Sequence, residues 1–311
     1  MADKTNIEWC DSTASLWKGC TKVSCGCDLC YAETLFGTEG ARFRDTVWGP
    51  DGDRIYIKAG WATIRKFQRR AAKNGGIDPD LGRKRRIFVN SVSDIFDNHK
   101  SIIWRMDFWN LVRECPDLIF ILVTKRPINV KRMVPPFFTE IASRIVLLTS
   151  VENQEFANLR LWHLAQSLAH ISPPLAIGVS YEPALERIDF TKIAVKIHNG
   201  EGFFNAITGM LSLKAPNGDR MVMSRPSFGP KPAARFRPLD WIIMGGESGK
   251  GFRDMDELWA VDTRAAVRAE NMKRPGDINP CAFFFKQMAG KKPVPPYLLT
   301  REFPASFERA A

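Results

Sequence analysis

The stretch Arg86-Ile-Phe-Val-Asn-Ser-Val-Ser-Asp94 opens with a continuous apolar run and closes on a polar tail. An unbroken run of this kind reads as a strand buried on both faces, as in a parallel sheet. Four more runs follow the same grammar: Leu118-Ile-Phe-Ile-Leu-Val-Thr-Lys125, Arg144-Ile-Val-Leu-Leu-Thr-Ser-Val-Glu152, Leu175-Ala-Ile-Gly-Val-Ser-Tyr-Glu182 and Leu239-Asp-Trp-Ile-Ile-Met-Gly-Gly-Glu247. Ala282-Phe-Phe-Phe-Lys-Gln287 offers a sixth, and Asn6-Ile-Glu-Trp9 a short strand ahead of them all. Helical spacing of apolar residues fills the gaps over Trp61–Lys73, Ser101–Glu114, Glu155–Ala169 and Asp256–Asn271. The runs open near residues 86, 118, 144 and 174, a period of about 30 residues that matches a βα unit. The expected fold is therefore α/β, a partial (β/α)6-type barrel of parallel strands, laid out as one domain over residues 1–311 with a C-terminal extension at 288–311.

Polar residues collect where the runs end: Asn90, Ser91, Ser93 and Asp94; Thr124, Lys125 and Arg126; Ser150, Glu152 and Asn153; Ser180 and Glu182; Glu247 and Ser248; Lys286 and Gln287. In a βα barrel that end carries the active site. The cysteines lead to the same edge. Five of the seven lie within the first 30 residues, and the chain shows no export signal, so metal binding or catalysis is a better expectation than disulfides. Cys115 and Cys281 read as small buried hydrophobes. The dense segment is Gly19-Cys20-Thr-Lys-Val-Ser-Cys25-Gly-Cys27-Asp-Leu-Cys30-Tyr31.

Cys20, Cys27 and Cys30 form C-x6-C-x2-C on a loop with glycines at 19 and 26, and helical text begins after Cys30, where a helix N-terminus favours thiolate. Two metals compete for this loop. Structural zinc wants four ligands, usually as two spaced pairs; one C-x2-C pair exists, a second has to be improvised from Cys10, Cys20 or Cys25, and the first histidine is His99. A four-iron cluster held by three cysteines leaves one iron open to a small molecule, and thiolates suit iron–sulfur chemistry. Gly245-Gly-Glu-Ser-Gly249-Lys250-Gly251 is one residue short of a phosphate loop and lacks the hydroxyl after Lys250, which excludes an ATPase of that type.

Composition narrows the rest. The chain has 311 residues, 45% hydrophobic and 25% charged, an ordinary globular balance that excludes a disordered or collagen-like chain. No run of 18 apolar residues exists, so a soluble cytoplasmic protein without a membrane span is expected. A net charge of +11 favours a polyanionic partner or anionic substrate. The positive charge concentrates in two places. Lys58 to Arg86 holds ten basic and two acidic residues. The insertion at 190–238 carries Lys192, Lys196, Lys214, Arg220, Arg225, Lys231, Arg235 and Arg237, interleaved with Phe203, Phe204, Phe228 and Phe236. Cations for phosphates beside aromatics for stacking are what a nucleic-acid surface needs, and the bland alternative is a solvated surface over a small satellite core.

The three-cysteine loop followed by Tyr31 resembles the radical S-adenosylmethionine superfamily. More narrowly, the chain resembles a phage-type three-cysteine-motif branch catalogued as a domain of unknown function, distantly like spore photoproduct lyase. The resemblance runs through Thr5-Asn-Ile-Glu-Trp9, Gly19-Cys20 to Tyr31-Ala-Glu33, Ile87-Phe-Val-Asn-Ser91, Asp94-Ile-Phe96, Leu122-Val-Thr-Lys-Arg-Pro127, Ser180-Tyr-Glu-Pro183, Asp240-Trp-Ile-Ile-Met-Gly-Gly-Glu-Ser-Gly249 and Phe284-Phe-Lys-Gln287. The loop is longer than the usual C-x3-C-x2-C of the superfamily, and the insertion is longer than expected for the branch.

The resemblance implies a [4Fe–4S] cluster on Cys20, Cys27 and Cys30, S-adenosyl-L-methionine on its open iron, and an external electron donor. One-electron cleavage then yields a 5′-deoxyadenosyl radical that abstracts a substrate hydrogen. By the same analogy, Ser91, Ser93, Lys125 and Ser150 bind the cofactor, with Lys125 on its carboxylate. Glu152 and Asn153 reach its ribose, Tyr31 covers the cluster or the adenine, and Glu182 joins the set. The implied activity is of isomerase or lyase type on a nucleic-acid base in DNA or a modified nucleotide: hypermodification of a thymine-derived base in phage DNA, in the host cytoplasm if the chain is phage-encoded. The alternatives are photoproduct repair and a non-catalytic, metal-stabilised nucleic-acid-binding protein.

Overall fold

The computed structural model describes residues 5–33, 47–99, 102–197, 200–214, 220–223 and 236–309. In chain order the strands are β1 Ser12–Ala14, β2 Trp17–Lys18, β3 Ile55–Tyr56, β4 Arg85–Val89, β5 Leu118–Thr124, β6 Ile145–Ser150, β7 Ala176–Tyr181, β8 Ile193–Ile197, β9 Gly200–Asn205, β10 Met210–Lys214, β11 Arg220–Met223, β12 Trp241–Gly245 and β13 Ala282–Gln287. The longer helices are α1 Lys58–Lys73, α2 Ile102–Glu114, α3 Gln154–Leu168 and α4 Glu257–Asn271. Seven strands form one parallel sheet of partial-barrel type, in the order β1-β4-β5-β6-β7-β12-β13. Six of the seven are the apolar runs, which are buried almost throughout.

The first strand is not Asn6–Trp9. Those residues form a turn, although Trp9 is buried against Phe88 with ring centroids 4.8 Å apart. The strand lies a few residues later, in small residues that carry no apolar signal: Ser12, Thr13 and Ala14 pair with Ile87, Phe88 and Val89. The register is fixed at its entry. The Asp11 carboxylate accepts from the Arg86 backbone N–H at 2.8 Å and is forked by Arg83 at 2.8 Å.

Contacts divide the chain into two compact units. The first comprises Met1–Leu148, Ser172–Leu175 and Ser306–Ala311; the second comprises Thr149–Ile171 and Ala176–Ala305. In the first, α1 buries Trp61, Ile64, Phe67 and Ala71 on one face, each large side chain worth about 1.5–3 kcal/mol of transfer free energy. Its first turn lies hard against the β1–β2 connection. A Cβ on Gly60 would stand 2.1 Å from the Ser15 carbonyl oxygen, so only glycine fits. The helix stops at Asn74, where Gly75 and Gly76 take positive φ and the Gly76 N–H returns to the Ala71 carbonyl. From α2, Phe108, Trp109, Leu111 and Val112 complete the core of this unit.

In the second unit, α3 and α4 begin at side-chain caps. Asn153 accepts from the Phe156 N–H and Asp256 from the Leu258 N–H, each at 2.9 Å. The 190–238 insertion holds an antiparallel sheet in the order β11-β10-β9-β8. Its inner face, Ile193, Val195, Phe204 and Leu211, joins the main core. Phe204 and Phe236 pack on Trp162 with centroids 6.0 and 4.9 Å away, so two of the four interleaved aromatics are core rather than stacking surface. Phe228, Arg225, Lys231 and Arg235 lie outside the described residues.

Residues 288–305 of the C-terminal extension are built into this unit. The Phe285 N–H donates to Thr300 O, the Glu302 N–H donates to Phe283 O, and Phe303 packs on Trp241 and Phe284. The outer edge of β13 is thereby covered.

Candidate functional site: the cysteine loop

The loop starts where β2, paired antiparallel with β3, runs out. Gly19 turns the chain with φ of +106°, and a Cβ there would stand 2.3 Å from the Val47 carbonyl oxygen. The Gly19 N–H donates to Val92 O at 3.3 Å, which ties the loop to the segment following β4. Cys25–Cys27 form one 3-10 turn, with Ser24 Oγ 3.8 Å from Cys27 Sγ. Residues 31–33 are helical directly after Cys30. Cys27 is buried, while Cys20, Cys25 and Cys30 are half-buried. Cys10 is also buried, and its Sγ donates to Ile7 O at 3.6 Å.

Two arginines and two aspartates pin the start of the loop to the ends of β4 and β5. Arg126 donates to Asp94 at 3.0 Å, to Thr21 O at 2.7 Å and to Cys20 Sγ at 3.7 Å, and stands 3.5 Å from Asp97. Arg54 donates to Asp97 at 2.7 Å, to Thr21 Oγ1 at 3.0 Å and to the carbonyls of Val47 and Gly52. Asp94 also accepts from Thr124 Oγ1 and the Lys125 N–H. All four charged side chains are nearly inaccessible. Burial pushes the Cys20 thiol up to about 12, and the Arg126 guanidinium pulls against it. Burial works against the Arg126 charge, but Asp94, Cys20 and Asp97 together hold its pKa above the ordinary arginine value.

The strand-end residues divide by unit. In the first, the Tyr31 hydroxyl donates to Ser91 O, Ser91 Oγ lies 3.3 Å from Ser15 Oγ, and Ser93 Oγ donates to Trp17 O at 3.0 Å. Tyr31, Ser91 and Ser93 thus gather around the cysteine loop. Lys125 enters this network through its backbone; its neighbour Arg126 is the side chain that reaches the sulfur.

In the second unit, both Glu152 oxygens accept from Arg160 at 3.2 and 2.9 Å, and Ser150 O accepts from the same guanidinium. Asn153 caps α3. Arg160 and the start of α3 thus engage the Glu152 carboxylate, the Ser150 carbonyl and the Asn153 side chain. Glu182 accepts from Lys286 Nζ at 2.6 Å, and Glu247 is forked by Arg253, whose charge outweighs burial and lowers the carboxyl pKa.

Sequence reading passed over Arg54 and Asp97, because nothing local marks a pair 43 residues apart.

Among the described residues, no group of three or more His, Cys, Asp or Glu side chains is gathered closely enough to hold a metal ion. By its chemistry the donor set fits an iron–sulfur cluster: four thiols on one loop, three of them in the C-x6-C-x2-C pattern, no histidine among residues 19–31, and an N–H donor already on the Cys20 sulfur. No helix among the described residues is long and apolar enough to cross a membrane.

A family described as "Protein of unknown function (DUF5131)" matches residues 4–295. No curated protein and no solved structure matches the chain.

Proposed function

The chain belongs to the DUF5131 family, and we propose that it is a radical S-adenosylmethionine enzyme acting on a nucleic-acid base. The observation that supports this reading is the loop bearing the C-x6-C-x2-C pattern, tied to the ends of β4 and β5 by the Arg54–Asp97 and Arg126–Asp94 pairs. Cys20, Cys27 and Cys30 would hold the [4Fe–4S] cluster. When bound, the cluster and S-adenosyl-L-methionine supply a 5′-deoxyadenosyl radical that abstracts hydrogen from the substrate.

The chain's own residues do the rest. Arg126 orients Cys20 and donates to its sulfur, and hydrogen bonds to cluster sulfurs tune reduction potential. Tyr31 is 42% exposed and its hydroxyl donates to Ser91 O, a position from which it would cover the cluster or the adenine. The Lys125 ammonium is the candidate partner for the cofactor carboxylate. Ser91 and Ser93 supply hydroxyls at the same edge. In the second unit, Arg160 and Lys286 hold the carboxylates of Glu152 and Glu182 in this structure.

Hypermodification of a thymine-derived base in phage DNA is the preferred reaction, with photoproduct repair second. Anaerobic reconstitution followed by mass spectrometry of nucleosides tests the substrate class. DNA treated with enzyme, reductant and S-adenosylmethionine should yield a nucleoside of altered mass or restored thymine. If every nucleoside is unchanged while S-adenosylmethionine is consumed, the nucleic-acid substrate is wrong.

A further inference from the structure

We propose that the solvent face of α1 is a phosphate-binding surface that grips the backbone of a nucleic acid. At 100° per residue, Lys58, Ala62, Arg65, Lys66, Arg69 and Lys73 fall on one stripe, opposite the buried Trp61, Ile64, Phe67 and Ala71. Every long side chain on that stripe is cationic, and the helix contains no acidic residue. A solvated helix face more often mixes signs, because opposite charges four residues apart stabilise it. Here Lys58 sits at the positive end of the helix dipole with no acid in the first turn, an arrangement that costs stability unless an anion is brought to it. Glu114 meets Arg65 at 3.4 Å with both side chains about half exposed, and Asp80 takes Arg70, which lies off the stripe.

The stripe runs ~22 Å along a helix held rigidly by Gly60 against Ser15 and by Trp61 Nε1 donating to Leu16 O. A duplex presents one charge per ~1.7 Å of axis, so a rod of this length meets several phosphates. An anionic membrane is a poorer fit. A helix that lies on lipid inserts an apolar face, and the apolar face of α1 is spent on the core. On the insertion, the described Arg237 is already paired to Asp240 at 2.7 Å with both side chains partly buried. The choice of a nucleic acid as the physiological partner rests on the function proposed above. The binding itself needs no cluster, so the two can fail separately.

The test uses the full chain without reconstitution. Fluorescence polarisation with a short DNA duplex, a DNA single strand and an RNA duplex gives log K against log salt for each. Replacing Arg65, Lys66, Arg69 and Lys73 together by Gln should flatten the slope by about two to four units for whichever nucleic acid binds. Arg65→Lys with Arg69→Lys should keep the slope, and Lys192→Gln with Lys196→Gln on the insertion should not change it. Should the fourfold variant fail to fold by circular dichroism, Arg69→Gln alone decides, with an expected loss of about 0.9 unit. An unchanged slope in the folded variant overturns the proposal, as does binding only to vesicles of anionic lipid.

Discussion

The guanidinium of Arg126 donates to the sulfur of Cys20 across 3.7 Å, joining the first cysteine of the loop to the end of β5. The same guanidinium neutralises Asp94 and faces Asp97, so cysteine position and buried charge are one structural problem.

Arg126→Gln keeps some hydrogen bonding but removes the charge that compensates the buried Asp94, while Asp97 keeps Arg54. Breaking a buried pair from one side costs about 3–5 kcal/mol. The variant should lose that much stability in urea unfolding, and its Cys20 should react faster with iodoacetamide as the loop loosens. Unchanged unfolding and unchanged alkylation would mean that the loop is held elsewhere.

Asp11 contributes to acid stability. Burial alone raises its pKa, but Arg83 and Arg86 outweigh burial and bring it from 3.8 down to about 2. A carboxyl depressed on folding contributes stability that is fully present above its unfolded value of 3.8. That contribution is lost as pH falls through the folded value near 2. The shift corresponds to about 2 kcal/mol. Asp11→Asn should be destabilised by roughly this amount at neutral pH, and its unfolding free energy should change less than that of the parent between pH ~4 and ~2. Parallel stability–pH curves would assign the shift to other groups.

Lys125→Ala should weaken S-adenosylmethionine binding by roughly tenfold, the loss of one charge-assisted hydrogen bond, with iron content intact. Arg126→Gln should instead lower iron content. If calorimetry shows full affinity in Lys125→Ala, another cation meets the carboxylate.

The parallel strands were legible because each is a continuous apolar run with nowhere to hide but a core, as in Leu118–Thr124. β1 was not, because Ser12-Thr13-Ala14 has no hydrophobic signal and takes its identity from pairing with β4. The antiparallel sheet of the insertion was also hidden. Its strands are short and half-buried, as the alternating exposure along Gly200–Asn205 shows, and glycine, proline and lysine between them read as loop. Within the site, local chemistry was legible and distant pairing was not. The thiols of one loop stand out in the text, whereas Arg54 and Asp97 meet only through the fold. Asn153 carried a second signal that strand-end reading overlooked, since an asparagine opening a helical segment is a preferred cap.

The most direct measurement of the central claim is S-adenosylmethionine cleavage by anaerobically reconstituted protein under strong reductant, with metal content determined on the same sample. The account predicts about four irons in one cluster per chain, and equal amounts of methionine and 5′-deoxyadenosine. It predicts loss of both iron and product in Cys20→Ala, Cys27→Ala and Cys30→Ala but not in Cys10→Ala or Cys25→Ala. A colourless protein that holds stoichiometric zinc and leaves S-adenosylmethionine intact would contradict it.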